Sequence, residues 1–303
     1  MNGVYRQPEF LRRGDRVGIV SPAGALQAPC IVEQAAAALS SWGLQTVVAP
    51  HALGRNGYYS GSVQERIGDM RLMLGDDSIK AIICSYGGYG CVHLLPHICE
   101  DIRRNPKWLV GMSDCSVLHA AALSQGVMSI HSPQCRHLAT RGSDASSAFL
   151  RDLLFGMFPN YEIEPHRLNR LGSASGVLVG GNLSVLSALA STPYNIFEPR
   201  RVLFIEDVNE PLYKIERMLQ TLRLSGVLSS LSALIVGRFA GCNENPAFGG
   251  TVYDVIRAMV DDCSFPVCFG FPVGHTDECY PLVVGAAVDI KIEAEGVSVS
   301  FCQ

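Results

Sequence analysis

The sequence predicts an α/β protein with an N-terminal doubly wound parallel-sheet domain and a C-terminal β-rich mixed α/β domain. Three observations predict it. Short β-branched runs alternate with amphipathic stretches through the first half, the pattern of βαβ units whose helices cover both faces of a parallel sheet. A polar stretch from Pro159 to Ser175, punctuated by Pro, Asn and Gly, interrupts that alternation. Beyond it strands outnumber helices. A chain of 303 residues, 48% apolar and 17% charged, is long enough for about two domains, which we draw as residues 1–158 and 159–303.

In the first domain, short β-branched runs place strands at Arg16–Val20, Gln45–Ala49, Ile79–Cys84, Trp108–Gly111 and Val127–Ile130. The segments between them read as helices at Ile31–Trp42, Val63–Leu74 and Ser116–Ser124, closed by Gly43, Gly75 and Gly126, because glycine suits the residue after a helix end. A further helix fits Ala145–Gly156. In the second domain, strands fit Gly176–Gly180, Arg201–Ile205, Ala233–Gly237, Pro266–Phe269, Val283–Ile292 and Val297–Phe301, the last two forming a hairpin around Glu293–Gly296. Helices fit Asn182–Ala190, Pro211–Ser225 and Thr251–Val260.

Composition narrows the partner. With 24 Lys and Arg against 28 Asp and Glu, the net charge of −4 gives no basic field for nucleic acid or anionic lipid, so a small molecule is expected. No apolar run approaches the ~20 residues of a membrane span, and Met1–Pro8 lacks the charged start and apolar run of a signal peptide. A cytoplasmic location is therefore expected. The 11 cysteines are odd in number and include no Cys-x-x-Cys pair, which suits small buried residues in a reducing compartment better than a disulfide framework.

The chemistry points first to Ser113. It follows the buried run Trp108-Leu109-Val110-Gly111 and precedes a helix, which places it at a strand-to-helix turn where helix amides and dipole stabilise an oxyanion. The turn resembles a nucleophile elbow, with Cys115 in place of the second Gly of Gly-x-Ser-x-Gly. Ser113 or Asp114 equally fits a helix cap. A serine nucleophile needs a base held by a third group. Of eight histidines, His275 occupies a Gly/Pro-shaped loop after a strand, and His131 ends another strand. Glu206-Asp207 ends the strand that begins at Arg201, and alternation lets only one of the two carboxylates face a cleft; Asp207, Asn209 and Glu210 are also candidates to cap the helix after Pro211.

Ser85-Tyr86-Gly87-Gly88-Tyr89-Gly90 opens another helix, and its amides can cradle an oxyanion. It lacks the Gly-Lys-Ser/Thr of a phosphate-binding loop and the last Gly of Gly-x-Gly-x-x-Gly, whose position His93 takes, so no dinucleotide is expected. His93 and His97 have a metal-like spacing, but Pro96 disturbs the helix between them and no third ligand is evident. Neither metal nor cofactor is expected.

Taken together, the motifs resemble the LD-carboxypeptidases, the muramoyltetrapeptide carboxypeptidase family of serine peptidases that also contains microcin C immunity hydrolases. The resemblance spans nearly the whole chain. It runs through Leu11–Gly24, Tyr59-Ser60-Gly61-Ser62 with Arg66 and Asp69, Gly87-Gly88-Tyr89-Gly90, Gly111-Met112-Ser113-Asp114 and His131-Ser132-Pro133. It continues through Gly180-Gly181-Asn182-Leu183, Glu206-Asp207 with Tyr213, Ile215, Arg217 and Leu219, and Pro272-Val273-Gly274-His275 with Pro281 and Gly285.

The resemblance implies a Ser113–Glu206–His275 triad that releases the terminal D-alanine of a murein tetrapeptide, with an oxyanion hole from the amides of Asp114 and of Gly87 or Gly88. It implies a homodimer, and it marks Tyr86, Ser132 and Asn182 as residues beside the substrate. Tyr86 departs from the Arg common before Gly-Gly-Tyr-Gly, exchanging a charged fork for one neutral hydroxyl, and Ser132 stands where the family commonly has Gly. A peptidyl nucleotide is the alternative substrate, and a silent peptide-binding protein the alternative class. With two Trp, at 42 and 108, no base-stacking platform is evident, which favours the murein peptide.

Overall fold

In the computed structural model, which describes residues 5–242 and 246–302, strand and helix alternate from residue 16 to 131; the first four residues of Met1–Pro8 lie outside the described residues. The order is β1 (Arg16–Val20), α1 (Cys30–Ser41), β2 (Gln45–Val48), α2 (Val63–Gly75), β3 (Ile79–Cys84), α3 (Leu95–Arg104), β4 (Trp108–Gly111), α4 (Ser116–Ser124) and β5 (Ser129–His131). Helices α5 (Cys135–Arg141) and α6 (Ala145–Leu154) follow. The five strands are parallel in the order β5-β4-β3-β1-β2. Their burial is nearly continuous, as in β1 with Val17–Val20 all buried, because helices cover both faces. The winding reverses between β1 and β3, and sheets of this kind hold ligands beyond the carboxyl ends of their strands at such a reversal. Ser21–Gly24 and Ser85–Gly90 leave the sheet there.

Local chemistry sets the element ends. Ser62 and Glu65 form a reciprocal capping box at the start of α2. Gly43 and Gly126 take positive φ, +86° and +72°, just past α1 and α4. Gly75 does not; it is the last residue of α2, and Asp76 leaves the helix extended.

Two compact units result, one comprising residues 1–158 and 280–285, the other 159–279 and 286–303. The second unit contains β6 (Asn160–Ile163), β7 (Gly172–Asn182), α7 (Leu183–Leu189), β8 (Arg201–Val208), α8 (Leu212–Leu224), α9 (Val227–Ser230) and β9 (Ala233–Ala240). It continues with α10 (Val252–Met259) and β10 (Val267–Phe269), then, after an excursion through β11 (Leu282–Val284), with β12 (Ala287–Ile292) and β13 (Val297–Phe301). Its sheet runs β10-β9-β8-β7-β12-β13-β6, parallel from β10 to β7 and antiparallel beyond. The parallel strand β8 is buried along Arg201–Asp207, whereas β12 alternates exposed and buried, the mark of a half-wet antiparallel face.

The expected single strand Val283–Ile292 is two strands in different sheets. Gly285, at φ +94°, breaks the run. β11 pairs antiparallel with β5 in the first unit, and β12 pairs with β7 and β13 in the second. Val127 lies outside β5, bridging Arg6 instead. The polar stretch 159–175, taken as the domain boundary, contains β6 and the start of β7. Among the described residues no disulfide joins the cysteines; Cys84, Cys91, Cys115, Cys135, Cys242, Cys268 and Cys279 are buried, and no helix is long and apolar enough to cross a membrane.

Candidate active site

Ser113 is one of the few non-glycine residues at positive φ, +63°. Such a backbone costs on the order of 1–3 kcal/mol and persists only where its surroundings enforce it. Here they do. Met112 is extended after β4, a single 3-10 turn over Ser113–Cys115 follows, and α4 begins at Ser116. Gly111 makes room for the reversal, since a Cβ there would lie 2.9 Å from the Cβ of Cys115. Cys115 is buried behind the turn and is thereby excluded as an exposed nucleophile. From α4, His119 donates through Nε2 to the Gly111 carbonyl at 2.9 Å and accepts at Nδ1 from Ser129 Oγ at 2.9 Å, fixing the strand end.

The glycine turn after β3 lies against this serine. A Cβ on Gly87 would fall 2.8 Å from Ser113 Cβ, 2.9 Å from Ser113 Oγ and 3.5 Å from the amide of Asp114. Only hydrogen leaves that approach open. Gly88, at φ +95°, lies beneath the hydroxyl of Tyr58, and the Gly87 carbonyl accepts the Gly24 amide at 3.0 Å. Asp114 does not cap its own helix. Its buried carboxylate accepts the Cys91 amide at 2.8 Å, and burial pushes its pKa up to about 6.

Arg66, 2% exposed, braces both turns by donating to the carbonyls of Pro22 at 2.8 Å, Gly90 at 2.9 Å and Gly61 at 3.3 Å. Its guanidinium also lies 4.8 Å over the Tyr59 ring. Tyr58 meets Tyr59 edge to face, His93 meets Tyr59 and Tyr89 edge to face, and Tyr59 and Tyr89 are tilted at 45°, with Tyr58 and Tyr89 more than half exposed. A tally of tryptophans overlooked this aromatic cluster; the signal was the Tyr58-Tyr59 pair together with Tyr89 in the glycine turn.

In the second unit, Glu206 and His275 form a hydrogen-bonded pair, Nδ1 to Oε2 at 2.8 Å. Glu206 is completely buried on β8, and its Oε1 has no hydrogen-bond partner among the described residues. His275 keeps 23% of its side chain exposed. Burial works against protonating it, but the Glu206 hydrogen bond and the charges of Glu206 and Asp207 outweigh burial and raise its pKa above the ordinary 6.5. Gly274, at φ +129°, lets the loop rest on the acid; a Cβ there would lie 3.1 Å from Glu206 Cβ. The Glu206 bond occupies Nδ1, which leaves Nε2 as the uncommitted ring nitrogen.

Asp207 turns to the opposite side of β8, as alternation requires, and accepts from Asn182 Nδ2, the Ser184 amide and the Val208 amide at 2.8–2.9 Å. It serves the start of α7. The α8 helix starts at Pro211 with no side-chain cap, so the expected capping by Asp207, Asn209 or Glu210 is not made. Asn182 caps α7 by accepting from the Val185 amide at 3.2 Å. Tyr86 is half-buried beside Gly24, while Ser132 and His131 are fully buried. Ser113, with Gly87, Gly88 and Asp114, belongs to the first unit, and the Glu206–His275 pair and Asn182 belong to the second.

A doubly wound domain with a serine on a strained strand-to-helix turn, and a second domain with a buried carboxylate–histidine pair, hold the side-chain types that a serine hydrolase uses. Profiles of the LD-carboxypeptidase N-terminal domain and C-terminal domain match residues 17–132 and 175–290. The chain belongs to the LD-carboxypeptidase family. It is 33% identical over 241 residues to the murein tetrapeptide carboxypeptidase of Pseudomonas aeruginosa, covering 75% of this chain and 77% of that one. A Bacillus subtilis protein named "Probable murein peptide carboxypeptidase" is 32% identical over 302 residues, 94% of this chain and 92% of that one. Among solved structures, muramoyltetrapeptide carboxypeptidase from Oxalobacter formigenes superposes with a TM-score of 0.87 at 25% identity, covering 95% and 99% of the two chains.

Proposed function

We propose that this protein is a serine LD-carboxypeptidase that hydrolyses the L–D peptide bond of a murein tetrapeptide and releases its terminal D-alanine. The observation that carries the reading is the buried Glu206–His275 pair, which gives a histidine one committed and one free nitrogen. Ser113 is the nucleophile in this reading, residues 1–158 supplying it and residues 159–303 supplying acid and base. His275 Nε2 takes the Ser113 hydroxyl proton as Oγ attacks the carbonyl carbon. Glu206 orients the ring and stabilises the imidazolium without taking the proton. The amide of Asp114 and one from Gly87 or Gly88 receive the oxyanion. His275 then returns the proton to the leaving D-alanine nitrogen, and water, deprotonated in turn by His275, releases the acyl group.

No step requires a metal or a cofactor, and the names of the 32–33% identical relatives support the murein peptide over a peptidyl nucleotide. The family resemblance extends the proposal to a homodimer acting in the cytoplasm on recycled wall peptides. Mass spectrometry of the tetrapeptide after incubation with the protein and a chelator tests it. Loss of one D-alanine, abolished in Ser113→Ala and His275→Ala, is the expected result. No cleavage, with Ser113 still labelled by a fluorophosphonate, would transfer the chemistry to another substrate; no cleavage and no labelling would leave a binding protein.

A further inference from the structure

A cavity of about 400 Å³ opens in the second unit, lined among others by His166, Arg167, Arg238, Phe239, Tyr253 and Thr276. It adjoins the loop that carries the histidine of the buried pair. Thr276 directly follows His275, the Arg238 amide donates to the Val273 carbonyl at 2.8 Å, and the Arg238 carbonyl lies 2.8 Å from where a Cβ of Gly274 would be. The Tyr253 ring packs on His166 at 5.4 Å and on Phe269 at 5.6 Å, which gives the cavity an aromatic wall.

Most polar groups around it are already engaged. Arg167 is paired with Asp254 at 3.8 Å, and Asp254 also accepts the Thr251 hydroxyl at 2.7 Å. The Tyr253 hydroxyl donates to the Gly237 carbonyl at 2.9 Å, and the Thr276 hydroxyl donates to the Glu278 carbonyl at 2.7 Å. Arg238 is the exception. It lines the cavity and is in none of the ion pairs formed among the described residues, such as that of Arg167 with Asp254. His166 accepts the Leu168 amide at Nδ1, 3.2 Å, so its proton sits on Nε2. Burial, followed by the charges of Arg167 and Arg238, lowers the His166 pKa and keeps the ring neutral. Among the described residues the cavity therefore offers one positive charge without an ion-pair partner in a planar fork, one neutral N–H donor and an apolar wall. A single fork with one net charge suits a monoanionic carboxylate rather than a dianionic phosphate.

We propose that this cavity is a specificity subsite that holds a carboxylate of the peptide substrate on Arg238, with His166 as the second donor. The proposal rests on the peptidase reading above. It is tested by calorimetry on the full-length Ser113→Ala protein, which binds without cleaving, with and without Arg238→Gln or Arg238→Lys. The probes are the murein tetrapeptide and analogues in which one carboxylate at a time is a carboxamide.

Arg238→Gln is expected to weaken binding of the free tetrapeptide about tenfold and to leave binding of one amidated analogue unchanged, with Arg238→Lys recovering part of the loss. Equal loss for every peptide, or no loss for any, overturns the subsite. A circular-dichroism melt of each variant separates lost binding from lost fold, and Arg238→Lys keeps the charge should Arg238→Gln unfold. Turnover by the protein with Ser113 intact is read separately. Arg238-dependent binding without turnover supports the subsite and overturns the peptidase reading; turnover with no Arg238 dependence does the reverse.

Discussion

The carboxylate of Asp114 accepts the backbone amide of Cys91 at 2.8 Å, tying the turn that bears Ser113 to the glycine turn that faces it. Burial raises that carboxyl to about 6 from an ordinary 3.8, so the folded chain holds this proton more tightly than the unfolded chain does. Its contribution to stability is complete below about pH 4 and is lost as the pH rises through about 6, on the order of 3 kcal/mol by proton linkage. Asp114→Asn retains an oxygen for Cys91 and cannot titrate. Urea unfolding between pH 4 and pH 7 should show a flatter profile for this variant; an unchanged slope would assign the pH dependence to other groups.

Gly87→Ala should abolish hydrolysis while leaving a folded protein. The added methyl falls on Ser113 Cβ and Oγ at under 3 Å, so the serine or the glycine turn must move. Displacement of a nucleophile by about an ångström costs roughly 100-fold in rate. Steady-state kinetics beside a thermal melt will separate the two effects, and a fully active variant would place the reacting centre elsewhere.

In the proposed mechanism His275 is a base only when neutral, and its pKa is raised above 6.5. The acid limb of kcat/KM should therefore lie above pH 6.5, activity rising as the pH passes it. Glu206→Gln removes the charge that raises the pKa; the limb should move to lower pH while the plateau falls about 100-fold or more. The same raised pKa makes protonated His275 stabilising below pH 6.5, a contribution lost as pH climbs through the folded value. A pH–rate profile whose acid limb does not move in the variant would detach Glu206 from the base.

Arg66→Met is the variant expected to cost most in stability outside the reacting groups. It fills similar space but leaves the carbonyls of Pro22, Gly61 and Gly90 without their donor, a loss of about 3–5 kcal/mol. Denaturant unfolding measures it. A cost below about 1 kcal/mol would mean that water replaces the guanidinium without consequence.

The parallel sheet of the first unit could be read from sequence because its strands are buried on both faces, and runs such as Arg16–Val20 and Ile79–Cys84 announce that with continuous apolar residues. β6 gave no such signal: Asn160–Ile163 is an edge strand with one fully buried side chain, Tyr161. The run 283–292 misled because both of its halves are strands, and only the φ of Gly285 records that they part.

At the site, turn chemistry made Ser113, Glu206 and His275 candidates one by one, and the family resemblance joined them as an expected triad. The bracing contacts made by buried side chains escaped. Arg66 reaches the carbonyls of Pro22 and Gly90, and Asp114 the amide of Cys91, all far away in sequence, and a carbonyl or amide left wanting a partner leaves no trace in the order of side chains. Asp207 shows the same: its neighbour Glu206 was weighed as a rival for one role, whereas the β8 pleat gives them different ones, acid partner to His275 and anchor of α7.

The detour of β11 means that neither unit is one continuous piece of chain. The polypeptide passes from one unit to the other three times, after residues 158, 279 and 285. A protein cut at residue 158 would leave β5 with an uncovered edge, the kind of surface that seeks another strand. Separate expression of the halves should give aggregation, while a permuted or peptide-complemented form that restores residues 280–285 should stay in solution. The protein is therefore made as a whole: its first unit is finished only once residues 280–285, well over a hundred positions beyond β5, have been synthesised.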